Sequence, residues 1–211
     1  MPQDPLAAGA DEPIVGIPRR QAFPHGEWTG FRSFEDHEAA RAEIARLDAV
    51  GTVRARRDLE TDDAWKQPIP YAVAVYRDPL TGVASLFWMD RLAGTSDRRL
   101  HGRASFGVGG HVGGQDGGIL GALRREWLEE VDTPTLPRFE PLGLLNDDSD
   151  AVGRVHLGIV FLAVLPVPQI AIRERTKLSG RLVPVAEAVA RSNELEGWSA
   201  RLIEVIAAVA P

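Results

Sequence analysis

The chain contains no cysteine in 211 residues, which excludes disulfides, thiolate metal sites and thiol nucleophiles. It also lacks long hydrophobic runs. The longest, Leu157 to Val167, is too short to span a bilayer as a helix and suits a buried strand. No membrane association is therefore expected. Met1-Pro2-Gln3-Asp4-Pro5 has no basic segment leading into an apolar one, so no secretory signal is read and a cytoplasmic location is the expectation. Positive charge is in deficit: 24 Lys and Arg against 30 Asp and Glu leave a formal net charge of -6. That argues against general nucleic-acid binding, because phosphate backbones demand a basic face. Two local basic runs remain, Arg54, Arg56 and Arg57, and Arg98, Arg99, His101 and Arg103. Each is open to reading as solvated surface or as a phosphate contact.

With 44% hydrophobic residues, the chain is too apolar for disorder, and it is long enough to bury a core as one large domain with an N-terminal elaboration. Residues 1–12, rich in Pro, Ala, Gly and acid, read as a loose tail, and 13–66 as a small αβ extension preceding a main domain over 67–211. Within the extension, Ile14 to Ile17 is a strand candidate. Ser33 or Asp36 caps a helix through Asp48 that carries Ala40, Ile44 and Leu47 on one side and ends at Gly51. In the main domain, Tyr71–Tyr76 and Val83–Met89 flank turn chemistry at Asp78–Gly82 and predict a hairpin. A short strand at Ala104–Val108, a helix over about 118–131, strands at Phe139–Leu145 and Val155–Leu165, and helices at Val185–Arg191 and Trp198–Val209 complete the pattern. Strands mixed with a few helices, without regular βα alternation, predict an α+β or layered α/β/α sandwich with a mixed sheet.

The chemistry-bearing stretch runs from Gly107 to Asp132. On a helix, Glu126, Glu129 and Glu130 stand at i, i+3 and i+4 and share one face, while Ile119, Leu120, Leu123 and Trp127 define an apolar stripe able to pack on a sheet. Crowded carboxylates repel, and a hard cation such as Mg²⁺ or Mn²⁺ relieves that repulsion while keeping waters exchangeable for phosphate oxygens. Arg125 precedes Glu129 by four residues and is placed to brace it. Upstream, Gly107 to Gly118 carries seven glycines in twelve residues, a backbone able to approach phosphate or metal closely.

This segment resembles a Nudix box: Gly, five residues, Glu, seven residues, then Arg-Glu-apolar-x-Glu-Glu-x-Gly-apolar. Gly110 matches the leading Gly, and Arg125, Glu126, Trp127, Glu129 and Glu130 match the second half. Asp116 stands at the first Glu, eight residues rather than seven then reach Arg125, and Asp132 and Thr133 replace the final Gly and apolar residue. Asp132 tolerates a left-handed conformation and is a candidate to end the helix there. Trp65-Lys66-Gln67-Pro68-Ile69-Pro70-Tyr71, Ser105 to His111, Gly153 to Gly158 and Leu195-Glu196-Gly197-Trp198-Ser199 are similar to a bacterial Nudix subgroup without an assigned substrate. The resemblance implies an α/β/α Nudix sandwich whose helix binds Mg²⁺ or Mn²⁺ and hydrolyses a diphosphate linkage in a small nucleotide-derived substrate. It implies Glu129 and Glu130 as metal ligands, Glu126 as ligand or water-orienting group, and the Gly109 carbonyl completing the shell. A further carboxylate is sought among Asp147, Asp148, Asp150, Glu174, Glu194 and Glu196.

Candidate substrate contacts are Gly109, Gly110, His111, Lys66 and Arg99, each with a plain structural reading beside it; His156 reads as a core histidine, and Trp28, Trp65 and Trp88 as core or as stacking platforms. A non-catalytic Nudix-fold sensor of nucleotides or sugar phosphates is the rival reading. An isoprenoid-diphosphate isomerase of the same fold ranks below both, because the chain lacks the thiol such isomerases use. Pairing through Ile14 to Ile17 into a homodimer is an expectation by analogy only.

Overall fold

The computed structural model describes residues 10–92, 103–176 and 178–210. β1 (Pro13–Pro18) leads through a single turn, α1 (Arg19–Ala22), to β2 (Gly30–Ser33). α2 (His37–Val50) begins where Asp36 Oδ1 accepts the N–H groups of Glu38 and Ala39, both at 2.8 Å, a side-chain cap for otherwise orphaned donors. It ends at Gly51 and buries Ala40, Ile44 and Leu47. β3 (Thr52–Ala55) and the short α3 (Arg56–Leu59) follow.

β4 (Trp65–Arg77) and β5 (Ala84–Arg91) form the expected hairpin, with Val75 opposite Leu86 and Arg77 opposite Ala84. Its turn works as the residues dictate: Asp78 Oδ1 accepts from Leu80 and Thr81 at 2.8 and 3.0 Å, and Gly82 takes φ +70°. β6 (Ala104–Ser105) and β7 (Gly107–Gly109) precede α4 (Ile119–Glu130). Beyond it lie β8 (Val131–Asp132), β9 (Arg138–Asn146), α5 (Ala151–Val155), β10 (His156–Val164), β11 (Ala171–Ile172), β12 (Leu178–Pro184), α6 (Val185–Ala190) and α7 (Gly197–Val209). The main sheet runs β12-β5-β4-β10-β9-β2, with β1 and β7 also paired to β4, β6 to β5 and β3 to β1; β8 and β11 form a separate pair. This is the mixed α+β architecture that the sequence pattern predicts. No helix among the described residues is long and apolar enough to cross a membrane.

Contacts divide the chain into two compact units. The first gathers residues 1–70, 110–125 and 142–160, so the segment 13–66 clusters with the glycine loop and the first half of α4. Its core includes Ile14, Ile17, Leu47, Leu59 and Ile119, all at most 1% exposed. The second gathers 71–109, 126–141 and 161–211 around Leu86, Phe87, Trp88, Trp127 and Phe161. β10 is buried along nearly its whole length, as its unbroken apolar run requires of a strand covered on both faces.

Several described elements depart from the sequence pattern, among them β2, β3, α3 and β11, which it does not predict. Val155, expected to open a strand, closes α5, which Asp150 caps through Gly153 N–H at 2.7 Å. β12 pairs with β5 from Leu178↔Arg91 to Pro184↔Ser85 although it carries no strong alternation. Asp132 does not end a helix in a left-handed conformation: no described non-glycine residue has positive φ, and Val131–Asp132 pairs as β8 with Ile172 and Ala171 of β11.

Candidate active site

In the first unit, the glycine loop is pinned from several sides. β1 pairs with it through Val15 N–H to Val112 C=O at 2.7 Å and Gly114 N–H to Pro13 C=O at 3.0 Å. Asp116, the residue standing for the first box Glu, clasps Arg125 by both oxygens (2.7 and 2.9 Å) and accepts Gly113 N–H at 2.6 Å. The Arg125 guanidinium holds the Asp116 carboxyl below the usual carboxylate range, since an adjacent cation favours the charged form. Arg125 also donates to the His111 carbonyl at 2.9 Å. The loop backbone at Asp116 lies close against Gly121 of the helix, where a Cβ would lie 1.7 Å from the Asp116 carbonyl oxygen.

α4 starts against a residue from far away in sequence. Asp48, near the end of α2, accepts Ile119 N–H at 2.9 Å, satisfying a first-turn donor. Gly118 has φ +109°, and a Cβ there would meet the Asp48 carboxylate at 2.8 Å. The helix buries Ile119, Ala122, Leu123 and Trp127, while Leu120, assigned to the apolar stripe from sequence, is 48% exposed.

The carboxylates lie in the second unit, on the last turns of α4. Burial and then repulsion from Glu126, Glu129 and Glu174 push the Glu130 carboxyl up to about 7, and the Gly109 N–H directed at it pulls the other way. The residue as a whole stays open to water, so protein atoms crowd the carboxyl group without sealing it. Glu174 comes close because Arg173 follows β11 and docks on the helix end, donating its N–H to Glu130 C=O at 2.8 Å and its Nε–H to Val131 C=O at 2.9 Å. Of the six carboxylates considered from sequence, Glu174 is the one found acting on Glu130. Asp148 pairs with Lys66 and Arg19, Asp150 caps α5, Asp147 accepts Ser149 N–H, Glu194 pairs with Arg191 and Glu196 with Arg91. Among the described residues, no three acidic or histidine side chains are already drawn to coordination distance.

The remaining candidates are placed as follows. Lys66 is fully buried, and its ammonium donates to Asp148 (2.7 Å), Gly153 C=O (2.9 Å) and His156 C=O (3.1 Å), which uses all three of its protons. His156 Nδ1 lies 2.7 Å from Val152 C=O and must donate to it, which leaves Nε2 as an acceptor for the His111 Nε2–H at 3.2 Å. Burial and the neighbouring His156 push the His111 imidazole down to about 4. A neutral ring so engaged brings no positive charge to a phosphate. Trp28, Trp65 and Trp88 each lie beneath an arginine, at 4.8 Å for Arg32, 4.6 Å for Arg54 and 4.6 Å for Arg191. Arg98, Arg99 and His101 lie outside the described residues.

No family model matches the chain. Protein YmaB of Bacillus subtilis is 33% identical over 208 residues, an alignment covering 93% of this chain and 98% of that protein. Among solved structures, Tm1382, provisionally assigned as a Nudix hydrolase, matches with a TM-score of 0.76 at 29% identity over 92% of this chain and 98% of its own. The Nudix domain of Shewanella oneidensis NrtR, crystallised with ADP-ribose, matches with a TM-score of 0.51 at 18% identity, covering 66% of this chain and 84% of that one. A MutT/Nudix family protein of Listeria innocua scores 0.50 at 16% identity, covering 68% and 93%. The last two speak for the fold alone. Taken with the box residues and their placement on α4, these likenesses show that the chain belongs to the Nudix hydrolases.

Proposed function

We propose that this Nudix hydrolase cleaves a diphosphate linkage in a small, nucleotide-derived substrate and depends on Mg²⁺ or Mn²⁺ to do so. The observation that carries the reading is the crowding at Glu130, whose carboxyl is raised by burial and then by Glu126, Glu129 and Glu174 while Gly109 N–H faces it. Repulsion among four carboxylates is a cost that a divalent cation removes, and an all-oxygen donor set is what hard cations select. Glu129 and Glu130 are proposed as ligands, with Glu126 as ligand or water-orienting group and the Gly109 carbonyl beside them. Glu174 is added as a further ligand or as the base. A cation held there supplies Lewis-acid neutralisation of charge developing on the diphosphate and acidifies an attacking water.

The chain's own residues do the rest. Asp116 and Arg125 hold the glycine loop against the first turns of α4. Gly109 and Gly110 offer backbone to a phosphate. Lys66 and His111, committed to internal partners, are read as supports for the loop rather than as substrate contacts.

The deciding experiment measures phosphate or monophosphate release with Mg²⁺ across nucleoside triphosphates, nucleotide sugars, ADP-ribose, dinucleotide cofactors and dinucleoside polyphosphates, with Glu130→Gln as control. Turnover of one class by the wild type and not by the variant is expected. Tight binding of one compound without turnover of any would favour the sensor reading instead.

A further inference from the structure

Gly109 closes β7, and its N–H faces Glu130, so the position of this strand bears on the carboxylate cluster. β7 pairs with β4 in the ordinary way, Tyr71 opposite Gly109 and Val73 opposite Gly107. A second grip comes from the start of α7. Phe106 N–H donates to Ser199 Oγ at 3.0 Å, and Ser199 Oγ lies 2.9 Å from the Tyr71 hydroxyl. The Gly107 N–H is directed at that same hydroxyl. Further back, Glu196 N–H donates to Ala104 C=O at 3.0 Å, and Ala104 bridges Leu195. The stretch from Leu195 to Ser199 thus runs along Ala104–Gly107. The fit is tight: Ser199 is 1% and Phe106 0% exposed, Trp198 packs edge-on against Tyr71 at 5.5 Å, and a Cβ at Gly107 would lie 1.7 Å from Tyr71 Cζ.

The geometry points to Tyr71 and Ser199 as positioning residues of the proposed metal site: their two hydroxyls hold Phe106 and Gly107 by the backbone and thereby set where Gly109 stands against Glu130. This rests on the metal-site reading above. The Tyr71 oxygen accepts from Gly107 and Ser199 Oγ accepts from Phe106, while one of the two hydroxyls donates to the other. Burial of its hydroxyl end pushes the Tyr71 phenol up to about 12, so it keeps its proton at neutral pH. Neither side chain is assigned a contact with substrate or cation. They act on the site through the strand, as outer partners of a metal site do.

Tyr71→Phe keeps the ring that packs on Trp198 and removes only the oxygen; Ser199→Ala removes the other. Mn²⁺ affinity, read by calorimetry, and backbone amide exchange at Gly107 and Gly109 are measured for both variants and for the double variant, with Tm recorded and Glu130→Gln alongside. Each single variant is expected to bind Mn²⁺ on the order of tenfold more weakly and to exchange Gly107 and Gly109 faster. The double variant should fall little below the weaker single, because the hydroxyls work as one unit. Unchanged Mn²⁺ affinity with only a lower Tm would reduce the pair to packing and overturn the inference. Retained Mn²⁺ binding in Glu130→Gln would instead refute the metal site itself, and this inference with it.

Discussion

Glu130 occupies the last position of α4, where a helix C-terminus already disfavours negative charge and three other carboxylates add to it. Replacing it with Gln removes charge without changing shape. Glu130→Gln should therefore keep or slightly raise Tm while lowering Mg²⁺-dependent turnover by more than roughly 100-fold, beyond the loss typical of an outer partner. The histidines make a different prediction. The folded chain holds His111 neutral down to about 4 from a reference of 6.5, so the unfolded chain takes up that proton first as pH falls. Stability is fully present above 6.5 and is lost progressively between 6.5 and about 4. Tm measured against pH should bend downward through that window, less so in His111→Gln; equal slopes in the two proteins would contradict the buried neutral pair. At the same scale, the carboxylates of the proposed site were legible in the sequence. Glu126, Glu129 and Glu130 are local to one helix, and their spacing alone puts them on one face. Glu174 was one of six candidates, because the pairing of β8 with β11 that brings it to the helix end is not local in sequence. The tasks of Lys66 and His111 were hidden for the same reason: their partners, Asp148 and His156, lie 82 and 45 residues away.

Among the elements, α4 shows how local and distant determinants combine. Its apolar face and the positive φ of Gly117 and Gly118 are written nearby, but its first-turn acceptor, Asp48, comes from α2. Asp48→Ala should cost about 1 kcal/mol, read as a lower midpoint in denaturant with an unchanged slope. Asp48→Asn should cost less, since burial already raises the Asp48 carboxyl and an amide oxygen still accepts from Ile119. An equal loss in both variants would show that the charge, not the acceptor, is what counts. Helix α2 and the β4–β5 hairpin were readable because cap and turn chemistry sit within a few residues of each other. β12 was not, because Val183 apart its residues are only half-buried or exposed and the strand is specified by its partner β5. α5 was missed because one capping Asp, not an apolar period, defines its five residues.

For the whole molecule, the absence of cysteine removes thiol and thiolate from its chemistry, and the deficit of positive charge argues against a general affinity for nucleic acid. The likeness to YmaB and Tm1382 runs over more than nine-tenths of the chain in each case. A ligand that binds only the folded state stabilises it by mass action, by about 2.7 kcal/mol at a hundred times its Kd. Mg²⁺ or Mn²⁺ should accordingly raise Tm in proportion to the logarithm of its concentration. The most direct measurement is a calorimetric titration of Mn²⁺ into the wild type and into Glu126→Gln, Glu129→Gln and Glu130→Gln. The account predicts saturable binding by the wild type that weakens in every variant and most in Glu130→Gln. Wild-type protein that takes up no Mn²⁺, or variants that bind it as the wild type does, would contradict it.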